Sequence, residues 1–289
     1  MDTLKKIFAP IGAVMNYIQN HFKAMLFLLL LLVLFYPSQK EHLKPYNLKS
    51  VDLTGPIMDT ADVVKALDEA RENAEVKGVM LVVDSPGGAV APSLEVAYAL
   101  KRLKQAKPVV VYAKGLLASG SYYASIWADE IVANPGAMVG SIGVIMQGAD
   151  LHGLMEKLGI KTQVVKAGKY KQVGTVDRPW TPEERAELEK VIEATYTMFV
   201  NDVAEARGLD PKKSGAYAEA HIFTASQAKA VGLIDTIGVE YDARKILEKR
   251  SGVSDPSWNE ESEMDKFFRQ LGSEGAAMLQ LYFPQMVLR

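Results

Sequence analysis

Three stretches of this sequence combine side chains and backbone suited to acyl chemistry. The first, Asp84-Ser85-Pro86-Gly87-Gly88, follows directly on the valine-rich run Gly78 to Asp84. Paired glycines after a strand let the backbone turn tightly and present N–H groups with no side chain in the way. A developing oxyanion needs such donors, although the same pair also serves as a plain strand-to-helix turn. The second is Gly115 to Ser125, GLLASGSYYAS, again between an apolar strand signal and a helix signal. A serine at such a corner, here Ser119, is exposed, and the amide of the next residue, Gly120, can serve an oxyanion as in a nucleophile elbow. Leu117 stands at the first glycine position of the GxSxG pattern, and Ser119 is equally the residue type that caps a helix. The third is Lys166 to Gln172, KAGKYKQ, with three lysines and a glycine.

A nucleophilic serine needs a proton acceptor. His21, His42, His152 and His221 are scattered, with no HExxH spacing and no companion acid motif, and read as surface or packed side chains. Lysine is the remaining base of suitable type, because burial disfavours the ammonium form; a lysine cluster is equally a solvated face. The 289 residues include no cysteine, which excludes thiol proteases, disulfide scaffolds and thiolate metal sites. The histidine spacing argues against a histidine-rich metal site, and no cofactor is expected. The formal net charge of −2 lacks the basic excess of a nucleic-acid binder.

These segments must be positioned by a scaffold, and the sequence between about residues 50 and 250 alternates strand and helix signals, which reads as α/β. Val51 to Ile57 is strand-like and Thr60 to Ala74 helical. Gly78 to Asp84 is a continuous apolar run, the mark of a strand covered on both faces. Pro92 to Gln105 reads as helix, Pro108 to Tyr112 as strand and Leu116 to Ala128 as helix, with short strands at Glu130 to Ala133, Gly143 to Met146 and Lys161 to Val165. Thr181-Pro182-Glu183-Glu184 is a capping box with proline at the first helical position. Leu188, Val191, Ile192, Thr195, Tyr196, Phe199, Val200 and Val203 then recur at helical spacing up to Gly208, predicting one buried face. Glu263 to Leu281 is a further amphipathic stretch, within a C-terminal tail from residue 251.

Ala24 to Tyr36, AMLFLLLLLVLFY, carries no charge. A helix of that length covers roughly 20 Å of a hydrocarbon core about 30 Å thick, and flanking Phe22, Lys23 and Tyr36 extend it. Phe35, Tyr36 and Pro37 are not the small residues of a cleavage site, so the reading is an uncleaved membrane anchor in contact with lipid. It follows an N-terminal segment, residues 1–23, and precedes a polar linker, residues 37–49. Lysines flank the block equally on both sides, so charge does not orient it.

Taken together, DSPGG, ASGSYYAS, VGSIGV at Val139 to Val144, KAGKYKQVG and FTASQAKAVGLID at Phe223 to Asp235 resemble the signal peptide peptidase A family of membrane-bound Ser-Lys proteases. The resemblance covers roughly residues 50 to 250. It implies a fold of the Clp protease and crotonase type and assembly into a ring. It also implies roles: Ser119 as nucleophile, Lys171 as general base, Ser141 as the hydroxyl orienting the lysine, Gly88 and Gly120 as the oxyanion-hole amides. Lys166 and Lys169 match no catalytic position. Ser121 stands where the family more often has glycine, which puts the pocket's shape in question. The single copy of the fold implies a homo-oligomer whose neighbouring subunits share active sites, held at the cell membrane by one pass with the body on the extracytoplasmic side. Substrates would be residual signal peptides and other apolar, membrane-proximal peptides, in a cleft expected to be formed by Leu116, Leu117, Ala118 and Ala124. A catalytically silent membrane scaffold and a crotonase-like acyl-CoA enzyme are the competing readings.

Overall fold

The computed structural model describes residue 17 and residues 19–27 and 45–259. Chain packing separates residues 45–259 as one unit from residues 1–44 and 260–289 as another. In the second unit residues 19–27 are helical. No helix among the described residues is long and apolar enough to cross a membrane. Residues 28–36 of the apolar block, most of the linker and the amphipathic stretch from Glu263 lie outside the described residues.

The larger unit is α/β. Its strands are β1 (Leu48–Thr54), β2 (Gly78–Ser85), β3 (Val109–Ala118), β4 (Glu130–Ala133), β5 (Met138–Gly140), β6 (Ile222–Thr224) and β7 (Thr236–Ile237). The helices are α1 (Ala61–Glu72), α2 (Val90–Lys104), α3 (Gly120–Ser125), α4 (His152–Lys157), α5 (Pro182–Arg207), α6 (Ala225–Ala230) and α7 (Glu240–Ser251). One sheet runs β1-β2-β3-β4-β7 with every neighbouring pair parallel. Parallel strands need covered faces, and β2 shows how the sequence provides them. Val79, Leu81 and Val83 enter the larger core with α1, α2, α3 and α5. Met80 and Val82 enter a second core with Ala243 and Leu247 of α7. Alternate side chains of one apolar run thus serve opposite faces, each fully buried Val or Leu contributing roughly 1.5–3 kcal/mol.

The longest strand, β3, has two partners. Its first half pairs with β4 and its end, Leu116 to Ala118, with β5. Between them the register against β2 shifts, with Val83 opposite Ala113 but Ser85 opposite Leu117. The Asp84 carboxylate fills this irregularity, accepting from the Leu116 N–H at 3.0 Å, and lies too close to Gly115 for a side chain there. The extension corrects the expected helix from Leu116: those residues finish a strand, and the helix is only Gly120–Ser125. The strand expected at Gly143 to Met146 is absent, because Met138–Gly140 already occupies the end of β3. Lys161 to Val165 is exposed and unpaired. From Ile145 to Lys171 every residue but Met155 is exposed, including Ile145, Leu154, Leu158, Ile160 and Val165.

Helix α5 starts as expected. The Thr181 hydroxyl accepts from the Glu184 N–H and the Glu184 carboxylate from the Thr181 N–H, while Gly208 closes the helix in the left-handed region at φ 65°. Apart from the capping Glu184, its buried residues, Phe199, Val200, Val203 and Ala204, all lie in the C-terminal half; Val191 is exposed. Arg178 makes a bidentate pair with Glu184 at 2.7 and 2.8 Å. That pairing, with the Thr181 N–H second, holds the Glu184 carboxyl down to about 2 from its ordinary 4.5. A depressed carboxyl contributes stability that is complete above its unfolded value and lost as the pH falls toward its folded one. The melting-temperature gap between wild type and Glu184→Gln is therefore expected to shrink between pH 4.5 and about 2; a gap independent of pH there would refute the linkage.

Candidate active site

The end of β3 delivers Ser119 to a sharp corner. Its backbone sits at φ 54°, ψ −124°, a left-handed conformation that costs a non-glycine residue energy and persists only where its surroundings enforce it. Here they do. The Ser119 N–H donates to the Gly140 carbonyl at 2.8 Å, and the Ser119 carbonyl accepts from the Tyr123 N–H at 3.0 Å. Ser121, the departure noted in the sequence, braces the corner instead of intruding on it. Its buried hydroxyl accepts from the Ala118 N–H at 2.9 Å and lies 2.7 Å from the Ser85 carbonyl, away from the cleft. The helix-cap reading of Ser119 fails, because its hydroxyl caps nothing and is left for other work.

The glycine turn packs directly on this corner. Gly87 is left-handed at φ 89°, and a side chain there would meet Gly120 N at 2.5 Å and Ser119 Cβ at 2.8 Å. Gly88 lies against Ile57, whose N–H donates to the Gly87 carbonyl at 2.8 Å and whose carbonyl accepts from the Ala89 N–H at 2.7 Å. A Cβ on Gly88 would strike the Ile57 backbone, and one on Gly120 the buried Ser93 hydroxyl. Among the described residues neither the Gly88 nor the Gly120 N–H has an acceptor. Two free amides beside an uncommitted serine hydroxyl are an arrangement able to hold the oxygen of an acyl group while the serine attacks it.

Ser119, Gly88 and Gly120 line one cleft, together with Val90, Ser93, Tyr123, Gly143, Val144, Ile145, Thr195 and Phe199. Tyr123 stacks on Phe199 with ring centroids 4.3 Å apart, and its hydroxyl donates to Asp202 at 2.5 Å. Burial first, and the Asp202 carboxylate second, push the Tyr123 hydroxyl far above its ordinary range, so it stays protonated. The apolar lining differs from the expectation. Leu117 and Ala118 are buried at the end of β3 and Ala124 within α3, Leu116 is half-buried, and none of the four lines the cleft; Val90, Tyr123, Val144, Ile145 and Phe199 take that place. Ser93 was not singled out by sequence, and Thr195 and Phe199 only as members of a buried helix face, not as part of a site. Thr195 and Phe199 are one helical turn apart, but spacing does not tell which stretch of a helix meets a cleft.

Ser141 lies one residue beyond the Ala118–Gly140 pair, as Ser119 does on its own strand, and it too is left-handed at φ 51°. Its N–H donates to the His221 carbonyl at 2.7 Å. It is half-buried and does not line the cleft. Lys171 is not brought there either. It lies in the turn after Gly168 and is exposed, as Lys166 and Lys169 also are, and its ammonium makes no hydrogen bond or ion pair with any described residue. His152 and His221 are exposed, as their sequence context suggested.

Comparison with known proteins bears on this geometry. A model of peptidase family S49 matches residues 101–254. The protein MJ0651 of Methanocaldococcus jannaschii, which carries a protease name, is 46% identical over 198 residues, 68% of this chain and 64% of that one. Serine protease SPPA, chloroplastic, of Arabidopsis thaliana is 30% identical over 200 residues, 69% of this chain and 30% of that one. The chain thus spans less than two thirds of the length of these two relatives. Among solved structures, a ClpP1 mutant from Listeria monocytogenes aligns with a TM-score of 0.48 at 17% identity, covering 67% of this chain and 93% of that one. With more than half of its residues matched by the family model, and those residues including the Ser119 corner, this chain belongs to peptidase family S49.

Proposed function

We propose that this protein is a membrane-anchored serine endopeptidase that cuts residual signal peptides and other apolar, membrane-proximal segments with a Ser119–Lys171 dyad. The observation carrying the reading is the left-handed Ser119, its hydroxyl unbonded, beside the free amides of Gly88 and Gly120. In this reading the Ser119 Oγ attacks the scissile carbonyl as its proton passes to the Lys171 amine. The Gly88 and Gly120 N–H groups hold the tetrahedral oxyanion, and the lysine ammonium then protonates the leaving amine. Water repeats the sequence to release the acyl group. Ser141 directs the lysine amine, as a third member directs the base of a triad.

Lys171 stands exposed outside the cleft of its own chain, so in this reading each active site takes its lysine from a neighbouring subunit. In support, Lys171 ends the segment 145–171, whose exposed Ile145, Leu154, Leu158, Ile160 and Val165 are apolar beyond what an isolated surface needs. A second copy packed there would bury both the apolar side chains and the lysine, and desolvation favours the neutral amine a proton acceptor requires. The assembly is a ring of the Clp protease and crotonase type. It is held at the cell membrane by the apolar block Ala24 to Tyr36, with the body extracytoplasmic. The relative named a serine protease is consistent with the nucleophile, and the intact serine, lysine and amide set speaks against a silent scaffold.

Ser119→Ala and Lys171→Ala are each expected to lower kcat at least about 10⁴-fold with assembly intact. Mixed oligomers of the two inactive variants should regain activity, since each supplies what the other lacks. Near-normal turnover by either variant alone refutes the dyad, and inactive mixed oligomers refute the shared site.

Because Val90, Tyr123, Val144, Ile145 and Phe199 line the cleft, apolar substrate surface gains roughly 25 cal/mol per Å² buried. Matched peptides with leucine or alanine next to the cut are therefore expected to show higher kcat/KM than those with aspartate or lysine. Equal values across the set would overturn the apolar specificity.

A further inference from the structure

Among the described residues four non-glycine residues have left-handed backbone, Ser119, Ser141, Glu219 and Ala220, with φ between 51° and 55°. They are not scattered. The Ser119 N–H donates to the Gly140 carbonyl at 2.8 Å, the Ser141 N–H to the His221 carbonyl at 2.7 Å and the Ala220 N–H to the Ile142 carbonyl at 2.9 Å. Strained residues of this kind cost on the order of 1–3 kcal/mol each and survive only where their surroundings over-determine them. Two in succession, Glu219 and Ala220, need a restraint of their own. Tyr196 of α5 provides it, its hydroxyl accepting from the Glu219 N–H at 3.2 Å and donating to the Glu219 carboxylate at 2.7 Å. One phenol thereby grips both the backbone and the side chain of a left-handed residue. Directly after that grip, Ala220 bonds Ile142 and fills the space over Gly143, where a side chain would meet its Cβ at 2.9 Å. His221 then receives Ser141.

We infer that Tyr196 is a positioning residue of the active site, acting through Glu219 to hold the segment that carries Ser141. The inference rests on the proposed role of Ser141 in directing Lys171. Tyr196 itself does not line the cleft, whereas Thr195 and Phe199 on the same helix do, so α5 contacts the site directly with one set of side chains and braces it at a distance with another.

Kinetics on the full chain test this. Tyr196→Phe removes only the hydroxyl and is expected to lower kcat about tenfold, displacement of a catalytic group being costly in rate, with KM changed less than about twofold. Glu219→Gly removes the side-chain grip while relieving the left-handed strain. It should keep or raise the melting temperature yet lose kcat to the same degree, a combination that a merely structural role would not produce. Glu219→Gln, which keeps an acceptor for the phenol, should restore most of the rate. In a Ser141→Ala background Tyr196→Phe should cost nothing more, because two residues acting through one step are not additive. Unchanged kcat in both Tyr196→Phe and Glu219→Gly, beside an inactive Ser119→Ala, overturns the positioning role and leaves the dyad standing. An active Ser119→Ala or Lys171→Ala overturns the dyad itself, and this inference with it.

Discussion

The hydrogen bond from the Ser119 amide to the Gly140 carbonyl is the point on which the candidate site depends. It joins the residue that follows β3 to Gly140, the last residue of β5, and it commits Ser119 to a conformation that L-residues avoid. β3 reaches this point because its register shifts around Asp84, which lets one strand pair with β4 early and β5 late. The glycine turn follows from the same constraint. With the corner fixed, residues 87 and 88 lie in contact with its backbone on one side and with Ile57 on the other, and only glycine fits.

The strain gathered around the corner has a structural source. Each left-handed residue donates its N–H to a different segment of the chain, so none relaxes without breaking a hydrogen bond that ties two segments together. Such over-determination is how a fold keeps a serine hydroxyl free of local bonds and two amides unpaired, conditions that an unconstrained chain would remove by capping and turning. The long helix α5 contributes in three ways: Phe199 stacks on Tyr123 behind the corner, Thr195 faces the cleft, and Tyr196 reaches the Glu219 turn.

The segment from Ile145 to Lys171 stands apart from this order. It has little regular structure beyond α4, and its apolar side chains are exposed in the single chain. Apolar surface of that kind finds its free-energy minimum against another surface, which is the physical basis for reading it as an interface between copies.

Much of this was legible in the residues themselves. The β2 run, the capping box at Thr181 and the glycine at 208 are local signals, set by periodicity, hydrogen-bonding groups within reach along the chain, and the left-handed preference of glycine. Membership of the family was likewise legible, because five short motifs kept their order. What the sequence alone did not determine is where β3 ends, since Leu116 to Ala118 suit helix and strand equally and only the distant edge Met138–Gly140 decides. Nor did it determine which apolar residues line the cleft, because Leu117 and Ala124 are as apolar as Val144 and Phe199 and differ only in what packs on them. Local chemistry is written along the chain; the choice among chemically equivalent residues is made by contacts between segments far apart in it.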